Sequence, residues 1–413
     1  MSIFVSIASY RDNQLLPTVE DLLSKAKNPK DLTFGICWQH EENDNCLEPY
    51  KKNKKFRIID LDYKKSLGAC WARSNIQKLY KGEDYYFQID SHHRFIDNWD
   101  EELINMFEKV GSLSSKYILT AYCSVLDLKN EKQLKNEPLK IVGYEEFSSD
   151  GNLMLKPHYI ENYSMLKNPI PARFVSGHFI FSRGDWVKEC PYDPNLYFHG
   201  EEVSLSIRSF TNGYDIYHPN YTISWHEYIR SDKKKHWDDH KDGDNSWWLL
   251  DKKAKKRLRK LLRQEDNDEN LERYNLGNAR SFHEYELYTG IDFVNKKVGK
   301  KAKLGEDPIS LSEEEWTLEI SFEKKRYEIS LEWDLNDIED CDDCDFWFFG
   351  IENSGDKLIF RNDFNENNNK NILYKKENKI KLNFESDEKP HHFVIWPHSP
   401  SKGWLKKYTK AIH

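Results

Sequence analysis

An aspartate and a histidine two residues apart, closing an apolar run, are the first residues here whose chemistry suggests a site. They are Asp90 and His92, in Gln88-Ile89-Asp90-Ser91-His92-His93-Arg94. A hard carboxylate oxygen and a borderline imidazole nitrogen together suit Mn²⁺ or another first-row divalent ion better than Ca²⁺. The same triplet also serves as ordinary capping at a strand end, and spacing alone does not separate the two. His226, in Ile223-Ser224-Trp225-His226-Glu227, is a candidate third ligand. Three protein ligands would leave coordination positions open, as a catalytic metal requires. The alternative for His226 is a hydrogen-bonded core residue beside Trp225.

Two further groups carry charge. Glu201 and Glu202 follow His199-Gly200 and open a helical pattern (Val203, Leu205, Ile207, Phe210). Acids there suit the positive end of a helix dipole, and they could equally hold sugar hydroxyls or orient an acceptor. Arg73, in Ser66-Leu67-Gly68-Ala69-Cys70-Trp71-Ala72-Arg73, sits on a helix of small residues, where its planar fork suits a diphosphate or a carboxylate. No Walker P-loop and no GxGxxG follows the first strand, and no GxSxG is present. Cys341 and Cys344 have CxxC spacing without a second pair, which disfavours zinc there.

The elements that must position these residues can be read from periodicity. Residues 3–8 (IFVSIA) read as a buried strand, and Leu15, Val19, Leu22 and Leu23 as the stripe of a helix. Strands follow at 32–39, 56–60 and 84–90, with a helix over 66–80 capped by Ser66. This alternation predicts an α/β fold with a mostly parallel sheet, which places Ala8–Asp12 and Asp90–Arg94 at strand carboxyl ends, where ligands bind. Short strands are expected near 117–122, 140–147, 177–182, 214–217 and 221–226, a helix near 201–211, and charged helices over 230–280.

Between Lys252 and Arg263 eight of twelve residues are basic, around a stripe of Ala254, Leu258, Leu261 and Leu262. That is a solvated helix with an apolar seam, or a basic rim for an acidic partner or membrane surface. Residues 296–308 read as a Lys- and Gly-rich linker. Beyond it the period becomes two at Trp316, Leu318, Ile320 and Phe322, again at Tyr327, Ile329, Leu331 and Trp333, and at Ile380, Leu382 and Phe384. A β-sandwich over 309–413 is expected, with Asn365–Lys370 as a polar loop.

Composition narrows the class. The 413 residues suggest two or three domains, and 22 Phe, 23 Tyr and 13 Trp supply ample core. No run of about 20 apolar residues marks a transmembrane helix. A net charge of −8 gives non-specific nucleic-acid binding no help. Seven scattered cysteines and an N-terminus without a signal-peptide pattern point to a cytoplasmic protein with reduced thiols.

The segments IFVSIASYRD, LLPTVEDLLSKAKNP, FGICWQ, SLGACWARS, FQIDSHHRF, SGHFIFSRGD, FHGEEVSLSIRSFTNGYDIYHP and SWHEY occur in order across residues 3–295. Together they resemble the cytoplasmic polypeptide N-acetylglucosaminyltransferases that modify hydroxyproline, a family with many bacterial relatives. The resemblance implies a GT-A fold over 1–295, a UDP-sugar donor, Mn²⁺ or Mg²⁺, and retention of anomeric configuration. It implies metal ligation by Asp90, His92 and His226, with His92 in place of the second Asp of a DxD motif. It places Ala8, Tyr10, Arg11, Arg73, Asp90, Ser91, Arg94, Gly177 and His178 around the UDP-sugar, and Glu201 and Glu202 in the catalytic positions beside sugar and acceptor. The implied acceptor is a polypeptide or glycopeptide hydroxyl. A metal-dependent hydrolase and a non-catalytic sugar- or protein-binding adaptor are the rival classes. Trp247 and Trp248 are candidates for a lid, with packing as the alternative.

Overall fold

Alternation along the first strand sets the layering. β1 (Ile3–Tyr10) sends Ile3, Val5 and Ile7 into one core and Phe4 into the other. After it come α1 (Leu15–Lys25), β2 (Leu32–His40), β3 (Phe56–Asp62), α2 (Ala69–Gln77), β4 (Tyr85–Asp90), β5 (His93–Phe95), α3 (Trp99–Val110), β6 (Tyr117–Thr120) and β7 (Ser124–Asp127). The chain continues through β8 (Lys132–Gln133), β9 (Lys140–Phe147), β10 (Leu153–Tyr159), β11 (Ile170–Pro171), β12 (Phe179–Arg183), α4 (Trp186–Glu189), α5 (Glu201–Thr211), β13 (Asp215–His218) and β14 (Ser224–His226). Then follow α6 (His236–Asp239), α7 (Trp247–Leu261), α8 (Phe282–Thr289), β15 (Ile291–Asp292), β16 (Lys297–Val298), α9 (Lys300–Leu304) and α10 (Glu313–Ile320). The computed structural model describes all residues except 113, 129–131, 134–137, 161–162, 232, 266–270, 322–324, 340–342, 366–377, 387 and 413. The chain divides into two units, Met1–Ile320 and Ser321–His413.

The main sheet of the first unit has the order β11-β13-β6-β12-β4-β1-β2-β3. β3, β2, β1 and β4 are mutually parallel, while β12 runs antiparallel between β4 and β6. The mixed α/β architecture with a mostly parallel sheet is the one expected. One layer packs α1 (Leu15, Val19, Leu22) and α3 (Trp99, Leu103, Phe107) on the sheet, and the other packs α2 (Cys70, Ala72, Ile76) and α5 (Val203, Leu205, Ile207). Each fully buried Val, Leu, Ile or Phe among these contributes about 1.5–3 kcal/mol relative to exposure. The chain leaves β1 toward β2 and β3, then returns to the other edge of β1 as β4. That reversal opens a crevice beyond the carboxyl ends of β1 and β4, where Ala8 and Asp90 are register partners. A smaller sheet, β5-β14-β7-β8, stands next to the crevice and sets His226 opposite His93.

Several expectations need correction. The helix expected from Ser66 starts at Ala69, because Gly68 has φ +107 and interrupts the helical path. Ser66 instead accepts from the Gly68 amide and donates to Gln39 Oε1. Residues 296–308 are not an extended linker: Ile291–Asp292 and Lys297–Val298 pair, and α9 follows within the first unit. The alternation at Trp316, Leu318 and Ile320 is helical, since Ser312 and Glu315 exchange the two bonds of a capping box ahead of α10. Phe322 lies outside the described residues. Over 230–280 only α6 and α7 are α-helical among the described residues.

The second unit comprises β17 (Lys325–Glu332), β18 (Phe346–Glu352), β19 (Leu358–Arg361), β20 (Phe364–Asn365), β21 (Lys379–Ser386), β22 (His392–Ser399), β23 (Gly403–Trp404) and β24 (Tyr408–Ala411). All its described pairings are antiparallel. Leu331, Leu382 and Phe384 of the β17–β21 pair share a core with Trp347, Phe349, Ile351, Phe393 and Ile395 of the larger sheet. The polar loop expected at Asn365–Lys370 falls almost entirely outside the described residues. Cys344 is disulfide-bonded, contrary to the expectation of reduced thiols throughout, whereas Cys37, Cys46, Cys70, Cys123 and Cys190 are free. No described helix is long and apolar enough to cross a membrane.

Candidate active site

Asp90 is the last residue of β4, and one of its carboxylate oxygens is the focus of the crevice. Its Oδ2 lies 3.3 Å from His226 Nε2 and 3.7 Å from His92 Nε2, and one donor atom from each of the three lies within 4.8 Å of the others. β4 supplies Asp90, the turn into β5 supplies His92, and β14, paired to β5, brings in His226 from far along the chain. The other oxygen, Oδ1, accepts a 2.6 Å bond from Arg73 on α2. Burial works against ionisation of Asp90, but the His226 hydrogen bond and the nearby Arg73 hold it well below the usual carboxylate range. Burial also drives His226 down to about 4, so its imidazole is neutral and able to ligate.

The donor set fits a first-row divalent ion. His92 Nδ1 lies 2.9 Å from Asp12 Oδ2, and a proton donated there leaves the Nε2 lone pair facing Asp90. Asp12 is in turn gripped by Arg230 at 2.8 and 2.9 Å and by the Ser91 hydroxyl. Although Asp12 is buried, His92 and Arg230 keep its carboxyl well below the ordinary range. Neither Asp12 nor Arg230 was singled out from sequence as a site residue, although Asp12 lies where the topology points, just past β1.

Arg73 is buried and committed on both sides. Its second terminal nitrogen is 2.5 Å from Glu201 Oε1 and 3.3 Å from the Tyr192 hydroxyl. The guanidinium therefore orients Asp90 and Glu201 instead of reaching toward a ligand. Gly177 allows this, because a Cβ there would fall 2.4 Å from Glu201 Oε1 and 2.7 Å from an Arg73 nitrogen. Gln88 fixes the same turn by donating to the Gly177 carbonyl at 2.7 Å. His178 stacks on His226 at 4.4 Å, accepts from the Cys123 amide, and is held neutral by burial.

Glu202 accepts from the Gly177 amide at 2.8 Å and from the Tyr122 hydroxyl at 3.3 Å. Burial pushes its carboxyl up to about 7, with Glu201 adding repulsion. Because the folded state then holds this proton more tightly than the unfolded chain, stability from Glu202 falls as pH rises from about 4.5 to about 7. Glu202→Gln, which mimics the protonated form, is expected to gain on the wild type over that window, by on the order of 2 kcal/mol given its partial exposure. Urea unfolding at pH 5 and pH 8 measures it, and an equal difference at both pH values would contradict the assignment.

A cavity of about 290 Å³ occupies the crevice. Ala8, Tyr10, Asp12, Arg73, Asp90, Ser91, His92 and His226 line it, as do Arg230, Lys234, Lys235 and Trp237, which sequence reading did not place there. Arg11, Arg94, Gly177, His178, Glu201 and Glu202 are not among the lining residues. Arg11 pairs with Asp239 and Glu41, and Arg94 donates to the His93 carbonyl and Gln14, so both guanidiniums are turned aside. Gly177, Glu201 and Glu202 stand behind Arg73. Trp247 and Trp248, candidates for a lid or for packing, are surface residues at the start of α7 and do not line the cavity, whereas Trp237 does. The basic stretch of α7 is largely engaged within the unit, with Lys255 on Asp150 and Asp251, Arg257 on Asp193 and Arg259 on Glu265, while Ala254, Leu258 and Leu261 form its buried seam.

A sequence model of the family described as Glycosyltransferase (GlcNAc) matches residues 2–54 and 47–295. Among solved structures, GalNAc-T7 with UDP, GalNAc and Mn²⁺ is similar at 14% identity over 56% of this chain and 44% of its own, with a TM-score of 0.44. S. aureus TarS 1–349 in complex with UDP-GlcNAc is similar at 12% identity over 62% of this chain and 70% of its own, with a TM-score of 0.35. The chain thus spans less than half the length of the first. No curated protein sequence matches.

Proposed function

Since the chain belongs to the glycosyltransferase (GlcNAc) family, we propose that it transfers a sugar, GlcNAc first, from a UDP-sugar to a hydroxyl of a polypeptide or protein-linked glycan, with retention. The observation that carries the reading is the convergence of Asp90 Oδ2, His92 Nε2 and His226 Nε2 at the wall of the crevice. A divalent ion such as Mn²⁺ or Mg²⁺, held by these three, would supply positive charge to the departing diphosphate. The protein's own part is electrostatic preorganisation. Asp12 and Arg230 fix the His92 ring, and Arg73 fixes Asp90, so little reorganisation remains when charge develops. Arg230, Lys234 and Lys235 add positive charge along the cavity that receives the phosphates.

Ala8, Tyr10 and Ser91 at the strand ends fit the nucleoside side of the donor, with Trp237 also lining the cavity. Glu201 and Glu202 are assigned to holding the region behind the sugar in register: Glu201 through Arg73, Glu202 through the Gly177 amide. In a retaining transfer of this kind the acceptor hydroxyl enters on the face the phosphate leaves, so the phosphate itself can take the proton. The catalytic assignment rests within the first unit, and the C-terminal strands are assigned an accessory role. The hydroxyproline-type relationship and cytoplasmic residence belong to the same proposal.

The test is calorimetry of UDP binding with and without chelator, followed by a screen for slow hydrolysis of UDP-sugars. The expected result is UDP binding that requires Mn²⁺ or Mg²⁺ and preferential breakdown of UDP-GlcNAc. Equal UDP affinity in EDTA would remove the metal from the scheme.

A further inference from the structure

We infer that Glu352, Asp356 and His392 form a second site, within the C-terminal unit, for a first-row divalent cation such as Zn²⁺. One donor atom from each lies within 4.8 Å of the others. Glu352 ends β18 and His392 begins β22, and the two are register partners, so the sheet itself brings them face to face. His392 Nε2 is 2.8 Å from Glu352 Oε2 and 3.4 Å from Asp356 Oδ1. Asp356 reaches them from the turn between β18 and β19, where Asn353 Oδ1 accepts the Gly355 and Lys357 amides at 2.9 Å each.

Features around the set match the outer surroundings of a metal. His392 Nδ1 lies 3.1 Å from His391 Nδ1, so a proton donated there leaves the Nε2 lone pair aimed at the two carboxylates. Glu352 uses its other oxygen, Oε1, toward Lys407 Nζ at 3.4 Å, which fixes the carboxylate's orientation. Two ligands are buried, with side chains 9% and 10% exposed, and the third, Asp356, is 84% exposed. That asymmetry leaves a solvent side by which an ion enters and keeps water ligands. Two carboxylates with one imidazole suit Zn²⁺ or a neighbouring first-row ion over Ca²⁺, which takes six to eight oxygens. The ion would pin the β18–β19 turn to β22. The rival occupant of this geometry is a proton on His392, making two ion pairs and binding no metal.

Titration of the full-length chain with Zn²⁺ decides between them, read by calorimetry and by the visible spectrum of Co²⁺ as a substitute. Asp356→Asn is the key variant: its side chain is exposed, and asparagine accepts the left-handed φ of +60 found there, so folding is preserved. The expected result is one tight equivalent in the wild type that weakens by more than about 100-fold in Asp356→Asn, beyond the range for losing an outer partner, and vanishes in Glu352→Gln/Asp356→Asn. The site near Asp90 is untouched by these changes, so any equivalent it binds persists in all variants. Identical stoichiometry and affinity in wild type and Asp356→Asn would overturn the proposal, as would an absence of this equivalent from the wild type.

Discussion

On the proposed transferase reading, Asp90→Asn is expected to lower turnover of the sugar donor by about 10²–10³-fold at saturating donor and fixed Mn²⁺, the range for removing one preorganised charge-stabilising group. Three relations set that size. Oδ2 faces both imidazoles, Oδ1 takes the Arg73 bond, and the carboxylate stays ionised in a buried setting only because those neighbours surround it. Asparagine keeps the shape but loses the charge that balances a cation and Arg73. The fall should appear in kcat, followed by UDP release, with circular dichroism unchanged. A variant that turns over at the wild-type rate would remove Asp90 from the chemistry.

Arg73→Met is expected to cost about 3–5 kcal/mol of stability, the range for stripping one partner from a buried ion pair. The reason is what stays behind. Asp90 and Glu201 both approach the guanidinium, at 2.6 and 2.5 Å, and without it two carboxylates share a buried space with Cys70 and Tyr192. Methionine fills the volume without answering the charge. Urea unfolding measures the loss, and adding Glu201→Gln should recover part of it, since the two residues act as one unit. Arg73→Lys should not rescue fully, because an ammonium lacks the planar fork that spans both acids. A loss below about 1 kcal/mol would mean the pair is solvated.

The parts of this chain that were legible in its sequence are those with local signals. The IFVSIA run and the Leu15–Leu23 stripe define β1 and α1 because each element's buried face is written in its own periodicity. Asp90 and His226 were singled out because each closes an apolar strand, and His92 because it lies two residues past Asp90. Asp12 was placed by topology but given no role, and Arg230 was not weighed, since their partners lie about eighty or more residues away and no spacing announces a non-local ion pair. Arg73 was expected to face a diphosphate, but the residues that occupy it, Asp90 and Glu201, come from β4 and α5. The α10 segment shows the opposite failure: Trp316, Leu318 and Ile320 alternate, yet Ser312 and Glu315 at capping spacing carried the decisive information. Gly68 likewise moved the start of α2 through a backbone angle that residue type only hints at.

The ligand group near Asp90 depends on pairings between stretches of chain far apart in order: β1 with β4, and β5 with β14. An unfolded chain therefore offers the ion at most the adjacent Asp90 and His92. Affinity for the proposed ion would then be mostly affinity for the finished first unit, and by mass action it would return as resistance to unfolding that grows with the logarithm of free ion concentration. Under the proposed metal binding, the surrounding ionic supply would thus act on this unit as a folding ligand as well as on its chemistry.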